Sequence, residues 1–236
     1  MAEMLFKTER FILFRIITKT VIMKNKISRK IIDKIRLENK KIYSKEEIFK
    51  IIKDYERIYK RKVNLTSLWT YLRKDKYVKR ILGDYYYAYS LEERHNQYCH
   101  FSEEELIFLV LEKMKAKWYL GLERALIENK VSWQAINFAP IINSRFSGFK
   151  KLGNSKFKFI KTREKRLNFG LIGKKTNNGV KYFYSDIEKT YLDFLYFYSY
   201  EGKDIRIIKK NLDFKVNKYR LRKYAKSYSK RVLEAV

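Results

Sequence analysis

The polar residues best suited to bind nucleic acid lie in one stretch, residues 64–89. Apolar residues recur there at helical spacing and predict a short helix with one buried face: Leu65, Leu68, Trp69 and Leu72. The opposite face and the segment after it carry the candidate DNA contacts: Thr66, Ser67, Thr70, Tyr71, Arg73, Lys74, Lys76, Lys79 and Arg80. The Arg73 guanidinium can donate two hydrogen bonds to guanine, whereas the lysine charges suit phosphates. An ordinary solvated helix face is the alternative.

The residues after this helix predict a tight hairpin. Residues 77–82 and 85–89 have the composition of strands, and Gly83-Asp84 between them suits a two-residue turn. Two further helices are predicted upstream, over residues 27–37 and from Ser44 to about residue 61. Three helices followed by a hairpin predict a winged helix-turn-helix, in which one helix enters the major groove and the hairpin contacts the backbone. We expect the tyrosines at 85–87 to pack at least one strand face into the core.

A second group of basic residues surrounds another predicted hairpin. Its members are Lys150, Lys151, Lys156, Lys158, Lys161, Arg163, Lys165 and Arg166. Residues 156–161 alternate between lysine and apolar side chains, which predicts a strand with Phe157 and Phe159 in the core and a basic face outward. Such a surface suits DNA, RNA or an acidic partner protein, and a lysine-rich strand that is simply solvated is the alternative.

The best acidic cluster for catalysis is formed by Asp186, Glu188 and Asp193. The first two fall at the start of a predicted helix, where carboxylates cap the backbone and offset the helix dipole, so a structural role is favoured. Asp213-x-Lys215 has the spacing of the acid–lysine pair of metal-dependent nucleases but lacks a preceding strand and a second acid. We therefore predict no catalytic residues, with a metal-dependent, nuclease-like enzyme as the alternative.

Cys99 is the single cysteine, which allows no intrachain disulfide and favours a reducing cytoplasm. His95 and His100 are close to it in sequence, but zinc requires four ligands and the sequence offers no second pair. A glycine-rich phosphate loop is also missing. The sequence thus predicts neither a metal site nor a cofactor.

The net charge of the chain is +29, and it is unevenly distributed. Residues 24–82 carry 20 basic and 7 acidic side chains, residues 91–137 carry 6 and 8, and residues 138–236 carry 25 and 8. Two basic regions separated by a nearly neutral one indicate two surfaces that attract phosphate backbones. Basic composition alone, without any binding role, is the competing interpretation.

Length and element order predict an α+β protein. We expect an N-terminal extension (1–26), a winged helix-turn-helix domain (27–90), a linker (91–101) and a mixed α+β domain with an antiparallel-rich sheet (102–236). The first 22 residues suit an upstream extension, an added helix or a dimer arm. The second domain should contain an antiparallel helix pair, starting at Ser102 and over 118–129, and then strands over 138–142, 156–161, 169–172 and 180–184. A capping box of Ser185 and Glu188 opens a helix over 186–200, followed by helices over 216–226 and 228–235.

Three short motifs occur in a characteristic order. They are Val78-x-Arg80-Ile81-x-Gly83-x-Tyr85 in the hairpin, Trp118-Tyr119-Leu120-Gly121 with Ala125-Leu126, and Ser185-Asp186-Ile187-Glu188-Lys189-Thr190 with Leu192-Asp193. Together they make residues 27–200 resemble the AbiEi-type antitoxins of abortive-infection, type IV toxin-antitoxin systems. The hairpin is one residue shorter between Ile81 and Gly83 than the usual pattern of that family, and the N-terminal domain carries an extra leading segment.

The resemblance implies a DNA-binding transcriptional regulator. In that family the N-terminal winged helix represses the operon's own promoter, and the C-terminal domain is needed to counter a nucleotidyltransferase-like toxin. The expected partners are therefore double-stranded DNA, such a toxin and a second copy of the chain, without a membrane. A non-catalytic protein-interaction module is a further alternative.

Overall fold

A computed structural model of the chain describes residues 29–35, 37–38, 40–60 and 62–236. They form two compact units that divide after His100. Each unit combines helices with one β-sheet, so the predicted α+β class is confirmed. The predicted N-terminal extension lies outside the described residues. None of the helices described is long and apolar enough to cross a membrane.

The N-terminal unit contains the three predicted helices and the predicted hairpin. Residues 29–35 form α1, and it is followed by β1 (Ile42–Ser44), α2 (Lys45–Tyr59), α3 (Leu65–Lys74), β2 (Val78–Leu82), β3 (Tyr85–Ala88) and α4 (Leu91–His95). The strands form an antiparallel sheet in the order β1-β3-β2. The sequence analysis does not predict strand β1, because its three residues are too few to display strand alternation.

Local sequence explains where α2 and α3 begin. The Ser44 hydroxyl accepts a hydrogen bond from the backbone N–H of Glu47 at 3.2 Å, and the Glu47 carboxylate accepts one from the backbone N–H of Ser44 at 2.8 Å. This is a capping box. Asn64 caps α3, since its side-chain oxygen lies 2.9 Å from the backbone nitrogen of Ser67. Both helix starts are therefore specified within four residues of sequence.

Residues 91–101, predicted as a linker, begin with α4, which is tied to the sheet. Glu93 is only 4% exposed, and its carboxylate accepts hydrogen bonds from the Tyr87 hydroxyl at 2.6 Å and from the backbone N–H of His100 at 2.8 Å. Burial alone would raise the pKa of Glu93, but these hydrogen bonds lower it below its ordinary value of 4.5. Tyr86, on the other side of β3, packs edge to face on Trp69 with ring centres 4.7 Å apart. Both faces of β3 are thus packed.

The C-terminal unit is built on a six-stranded mixed sheet. Its elements are α5 (Glu103–Lys113), β4 (Trp118–Leu120), α6 (Leu122–Glu128), β5 (Ala139–Asn143), β6 (Gly148–Leu152), β7 (Ser155–Lys161), a 3-10 turn (Glu164–Arg166), β8 (Leu171–Lys175), β9 (Lys181–Ser185), α7 (Ile187–Tyr200), α8 (Ile205–Asn211), α9 (Lys218–Ala225) and α10 (Lys230–Glu234). The strand order is β6-β7-β5-β4-β9-β8. Strands β5 and β7 pair in parallel, as do β4 and β9, and the other neighbours are antiparallel.

The predicted antiparallel helix pair is wrong. Residues 118–129 form a strand and then a short helix, and all three residues of β4 are buried. A strand that is buried on both faces lacks the alternation that distinguishes it from a helix. Gly121 follows β4 directly, and a side chain there would overlap Ile142 of the neighbouring strand. A side chain at this position would therefore require the buried Ile142 side chain to move.

The predicted capping box of Ser185 and Glu188 is also wrong. Ser185 ends β9, and Asp186 is the cap of α7, because its carboxylate accepts a hydrogen bond from the backbone N–H of Lys189 at 2.8 Å. The Ser185 hydroxyl instead pairs with the Thr190 hydroxyl at 2.7 Å. Helix α7 nevertheless covers the residues predicted for it and packs its leucines into the core of the unit.

Candidate nucleic-acid interface

Helix α3 presents a polar face away from the core. Thr66, Thr70 and Arg73 follow one another at spacings of four and three residues, so they lie on one side of the helix. Ser67 and Lys74 lie next to them, and all five side chains are exposed. On the opposite side Leu68 and Leu72 are buried, and Leu65 and Trp69 are half-buried. These five side chains point away from the core, as predicted.

An open groove with a volume of about 640 Å³ runs beside α3 and β2. Val78 and Tyr89 line it together with six of the predicted DNA contacts: Thr70, Arg73, Lys74, Lys76, Lys79 and Arg80. Among the described residues that form its walls, none is acidic. Five cations line the groove, and only Arg80 among them lies within 4 Å of a carboxylate, that of Asp84, so the groove has a positive potential that attracts phosphate groups.

The turn after α3 brings Lys76 to this groove. Lys76 adopts a left-handed conformation, with φ of 54°. The backbone N–H of Tyr77 donates to the Leu72 carbonyl at 2.9 Å, and that of Lys76 donates to the Arg73 carbonyl at 3.2 Å. These are the two hydrogen bonds of the Schellman motif that terminates helices. Because the turn is tight, β2 starts beside the last turn of α3.

Arg80 is tied to the hairpin turn. Its Nε donates a hydrogen bond to the Gly83 carbonyl at 2.6 Å, and its Nη2 lies 3.8 Å from Oδ1 of Asp84. Gly83 has a φ of 55°, a conformation that glycine adopts without the strain of a side chain. The Arg80 charge is therefore partly offset and held at the tip of the hairpin.

The remaining three predicted contacts do not line the groove. Tyr71 is half-buried, its ring centre lies 5.7 Å from that of Tyr77, and both rings pack against the core. Burial raises the pKa of Tyr71, and a hydrogen bond with Tyr77 raises it further. Thr66 and Ser67 are exposed on the first turn of α3. Tyr71 is therefore a packing residue at the flank of the face on which the other two lie.

Tyr89 lines the groove, although sequence reasoning did not single it out. Its ring packs edge to face on Tyr87 with centres 5.3 Å apart. Burial raises the pKa of Tyr89 to about 12, so its hydroxyl remains a hydrogen-bond donor at neutral pH. Tyr85, Tyr87 and Tyr89 alternate along the chain, and this alternation is the signal that could have placed Tyr89 beside a packed strand.

Half of the residues in the second predicted basic surface line one pocket. Four of its residues line a cavity of about 850 Å³ between the β6–β7 hairpin and the C-terminal end of α7: Lys158, Lys161, Arg163 and Arg166. The other four lie outside that lining: Lys150, Lys151, Lys156 and Lys165. Phe157 and Phe159 are buried, as predicted. The strand thus has a packed face, and Lys156 and Lys158 lie on its other face, with Lys151 of β6 directly opposite Lys156.

Arg166 is not part of an exposed basic surface, contrary to the prediction. The residue is 5% exposed, and its Nε donates to Oγ1 of Thr162 at 2.8 Å. Its Nη2 donates to the Tyr196 hydroxyl at 3.1 Å, and the guanidinium carbon lies 4.2 Å from the centre of the same ring. A buried guanidinium needs such hydrogen bonds and a cation–π contact to offset its lost hydration.

The three acids considered for catalysis belong to a hydrogen-bonded network around α7. Asp186 caps the helix, and Glu188 accepts a hydrogen bond from the backbone at the N-cap of α9. Asp193 is completely buried and accepts hydrogen bonds from the hydroxyls of Tyr119 at 2.8 Å and Tyr228 at 2.6 Å. Within the part of the chain that the structure describes, no group of three or more His, Cys, Asp or Glu side chains is arranged to hold a metal ion.

Lys189 is the charged partner of Asp193. Its Nζ lies 3.7 Å from Oδ1 of Asp193 and donates to the Arg166 carbonyl at 2.6 Å. Both side chains are completely buried. Burial lowers the pKa of Lys189 and raises that of Asp193, and the opposite charge of each partner opposes the shift. Four motif residues of the resemblance, Tyr119, Asp186, Lys189 and Asp193, therefore anchor α7 within this unit.

A scan of the chain against models of protein families finds no match, and neither does a search of curated proteins. The groove of the N-terminal unit offers five cations, the Thr70 hydroxyl and Tyr89. They lie on α3, on β2, in the turn between these elements and just after β3. Such a set can donate hydrogen bonds to base edges and form ion pairs with phosphates.

Proposed function

We propose that the N-terminal unit is a winged helix-turn-helix that binds double-stranded DNA. Helix α3 would enter the major groove and the β2–β3 hairpin would lie on the backbone. The observation that carries this proposal is the acid-free groove between α3 and β2, with five cations in its walls. The element order α1–β1–α2–α3–β2–β3 supports it, since three helices precede a short antiparallel hairpin.

The groove residues divide by chemistry into two roles. Arg73 is exposed on α3, and its planar guanidinium suits bidentate hydrogen bonding to guanine, with Thr70 able to donate beside it. Lys76 and Lys79 carry single charges on flexible stems and suit phosphate contacts, which position the protein without reading sequence. Arg80 stabilises the hairpin tip through Gly83, so that its contribution to binding is partly structural.

We propose further that the chain is a transcriptional repressor of the antitoxin type. The resemblance of its motifs to the AbiEi-type family supports this role, with the chain's own upstream region as the DNA site. A nucleotidyltransferase-like toxin and a second copy of the chain are the proposed protein partners. Co-purification with the product of the neighbouring gene tests the first partner, and sedimentation of the purified chain tests the second.

A gel-shift titration tests the DNA-binding role. The full chain is titrated against its own upstream region and against a random duplex of equal length at moderate salt. We expect the upstream region to bind at a lower protein concentration, because base contacts add to the phosphate contacts that both duplexes share. Failure to bind either duplex contradicts DNA binding. Equal affinity for both contradicts the repressor role and leaves only non-specific contact.

A further inference from the structure

We propose that the C-terminal unit holds a separate site for single-stranded nucleic acid, in the cavity between the β6–β7 hairpin and the end of α7. This open pocket has a volume of about 850 Å³, with aromatic rings from both sides and cations from β7 and the residues that follow it. This site does not depend on the proposed DNA binding by the N-terminal unit. It would take a few unpaired nucleotides, with bases on the rings and phosphates at the cations.

Two large aromatic side chains in the cavity lining are exposed to solvent. Phe149 of β6 is 73% exposed, and Tyr200, the last residue of α7, is 79% exposed. Aromatic rings in a folded protein normally bury most of their surface, because burial of each ring is strongly favourable. Exposed rings that line a concave basic site are the stacking platforms of proteins that bind single strands, since every base offers a flat face.

One cation of the cavity, Lys158, lies near an exposed ring and is also paired with a carboxylate, since its Nζ is 3.2 Å from Oε1 of Glu201. Phe149 lies directly opposite Lys158 in the β6–β7 ladder, and the Lys158 Nζ is 6.0 Å from the Phe149 ring centre. Lys161 and Arg163 are exposed at the cavity, and neither forms an ion pair with another described residue. These two charges are therefore available for a ligand. They line the same pocket as the two exposed rings, so that phosphates and bases of one strand could be bound together.

A packed set of rings supports the wall that carries Tyr200. The Tyr196 ring centre lies 5.3 Å from that of Tyr200, and the Arg166 guanidinium carbon lies 4.2 Å from the centre of the Tyr196 ring. Because Arg166 is also hydrogen-bonded to Thr162, this wall is held in place before a ligand arrives. A preorganised site loses less entropy on binding than a flexible one.

The shape and lining of the cavity favour a single strand over the other anionic ligands. In a duplex the base faces are stacked on one another and are not available to Phe149 or Tyr200, whereas unpaired bases are. An acidic peptide would use the cations but has no flat groups for the rings. Two carboxylates, those of Glu164 and Glu201, also line the cavity, which makes it less suited to a ligand recognised by charge alone.

Fluorescence anisotropy with short labelled oligonucleotides of mixed sequence, as DNA and as RNA, tests the site in the full chain. We expect Phe149→Ala and Tyr200→Ala each to weaken binding at least fivefold, the loss expected for one stacked base. Tyr219→Ala is the matched control, since Tyr219 is 81% exposed but lies outside the cavity. The control variant should bind as the parent chain does.

Three outcomes would overturn the inference. The first is no binding of either oligonucleotide, and the second is an equal loss of affinity in Tyr219→Ala. The third is displacement of the oligonucleotide by a polyglutamate peptide with no effect of the two ring substitutions, which would assign the cations to an acidic protein. A variant with Arg73→Ala and Lys79→Ala separates the two sites, because it should retain single-strand binding even if duplex binding is lost.

Discussion

The two units use the same charged residue types in opposite ways. In the N-terminal unit, Arg73 and Lys74 are exposed on a helix face, and the groove beside them contains no carboxylate among its described lining residues. In the C-terminal unit, Lys189 and Asp193 are completely buried and Arg166 is nearly so. Positive charge in a sequence therefore indicates binding only where the fold leaves it solvated. Of the 25 basic residues in 138–236, two are buried and are thereby removed from the surface available to a ligand, Arg166 and Lys189.

The largest expected effect comes from breaking the buried pair of the C-terminal unit. Asp193→Ala removes the carboxylate that accepts hydrogen bonds from two tyrosines and leaves Lys189 buried without its counter-charge. We expect a loss of about 3–5 kcal/mol in the free energy of unfolding, measured by denaturant titration. Asp213→Ala, an exposed acid, is the control and should leave stability nearly unchanged. A small loss in Asp193→Ala would show that the network does not stabilise α7.

Two glycines with similar backbone conformations test the difference between the open hairpin of the N-terminal unit and the packed interior of the C-terminal unit. Gly83 and Gly170 both have φ near +60°, so alanine is strained at either position. A Cβ at Gly83 would meet nothing within 4 Å, whereas one at Gly170 would lie 2.9 Å from Cβ of Lys189 and 3.0 Å from the Tyr224 ring. We expect Gly170→Ala to cost about 2–4 kcal/mol and Gly83→Ala about 1–2 kcal/mol.

The unfolding midpoints of these two variants give the measurement. Equal losses would mean that the packing around Gly170 relaxes freely. A larger loss at Gly83 would contradict the contrast between an open hairpin tip and a packed interior.

The capping glutamates Glu93 and Glu105 provide one pH-dependent test in each unit. Burial would raise the pKa of each, but hydrogen bonds to the carboxylates lower both below the ordinary value of 4.5. Their stabilisation is therefore present above about pH 4.5 and is lost as the pH falls through the lower pKa of the folded state. Hydrogen bonds to a charged group contribute about 1.5–3 kcal/mol, which sets the scale of the loss.

Replacement by glutamine removes this titration while keeping the side-chain shape. In Glu93→Gln, hydrogen exchange should become less dependent on pH below 4.5 in the N-terminal unit only, and in Glu105→Gln it should do so in the C-terminal unit only. Glu112→Gln, outside both capping boxes, serves as the control. If either variant keeps the acid sensitivity of the parent chain, that sensitivity arises from other carboxylates.

The smallest expected effect concerns a single phosphate contact. Lys79→Ala should weaken binding to all duplexes alike and reduce the slope of log affinity against log salt by about 0.9. Lys53→Ala removes the same charge from the exposed face of α2, outside the groove, and should leave the slope unchanged. Titrations at several salt concentrations provide the slopes. Identical slopes for the two variants would mean that net charge, and not the groove, determines binding.

Features that depend on adjacent residues could be predicted from the sequence. The boxes at Ser44 and Ser102 each join a hydroxyl to a glutamate three residues later, and both cap helices in the structure. The exposed face of α3 follows from helical spacing alone. The groove could not be predicted from helical spacing, because the turn at Lys76 determines how β2 lies beside α3.

Features that depend on distant residues could not be predicted. Lys189 and Asp193 are spaced as an ordinary surface pair along a helix. Only the fold brings Tyr119 from β4 and Tyr228 from beyond α9 to the same carboxylate and removes water from it. Strand β4 was assigned to a helix because its residues are buried on both faces and show no period of two. Burial of this kind is a property of the whole unit.

In the proposed DNA complex, α3 reads the sequence through Arg73 and the neighbouring lysines supply affinity. The most direct measurement is the ratio of dissociation constants for a random duplex and for the chain's own upstream region, in the parent chain and in Arg73→Ala. Loss of one bidentate contact should reduce that ratio about 5- to 100-fold, with a much smaller change in affinity for the random duplex. An unchanged ratio, with both affinities lowered equally, would contradict the claim and reduce Arg73 to a phosphate contact.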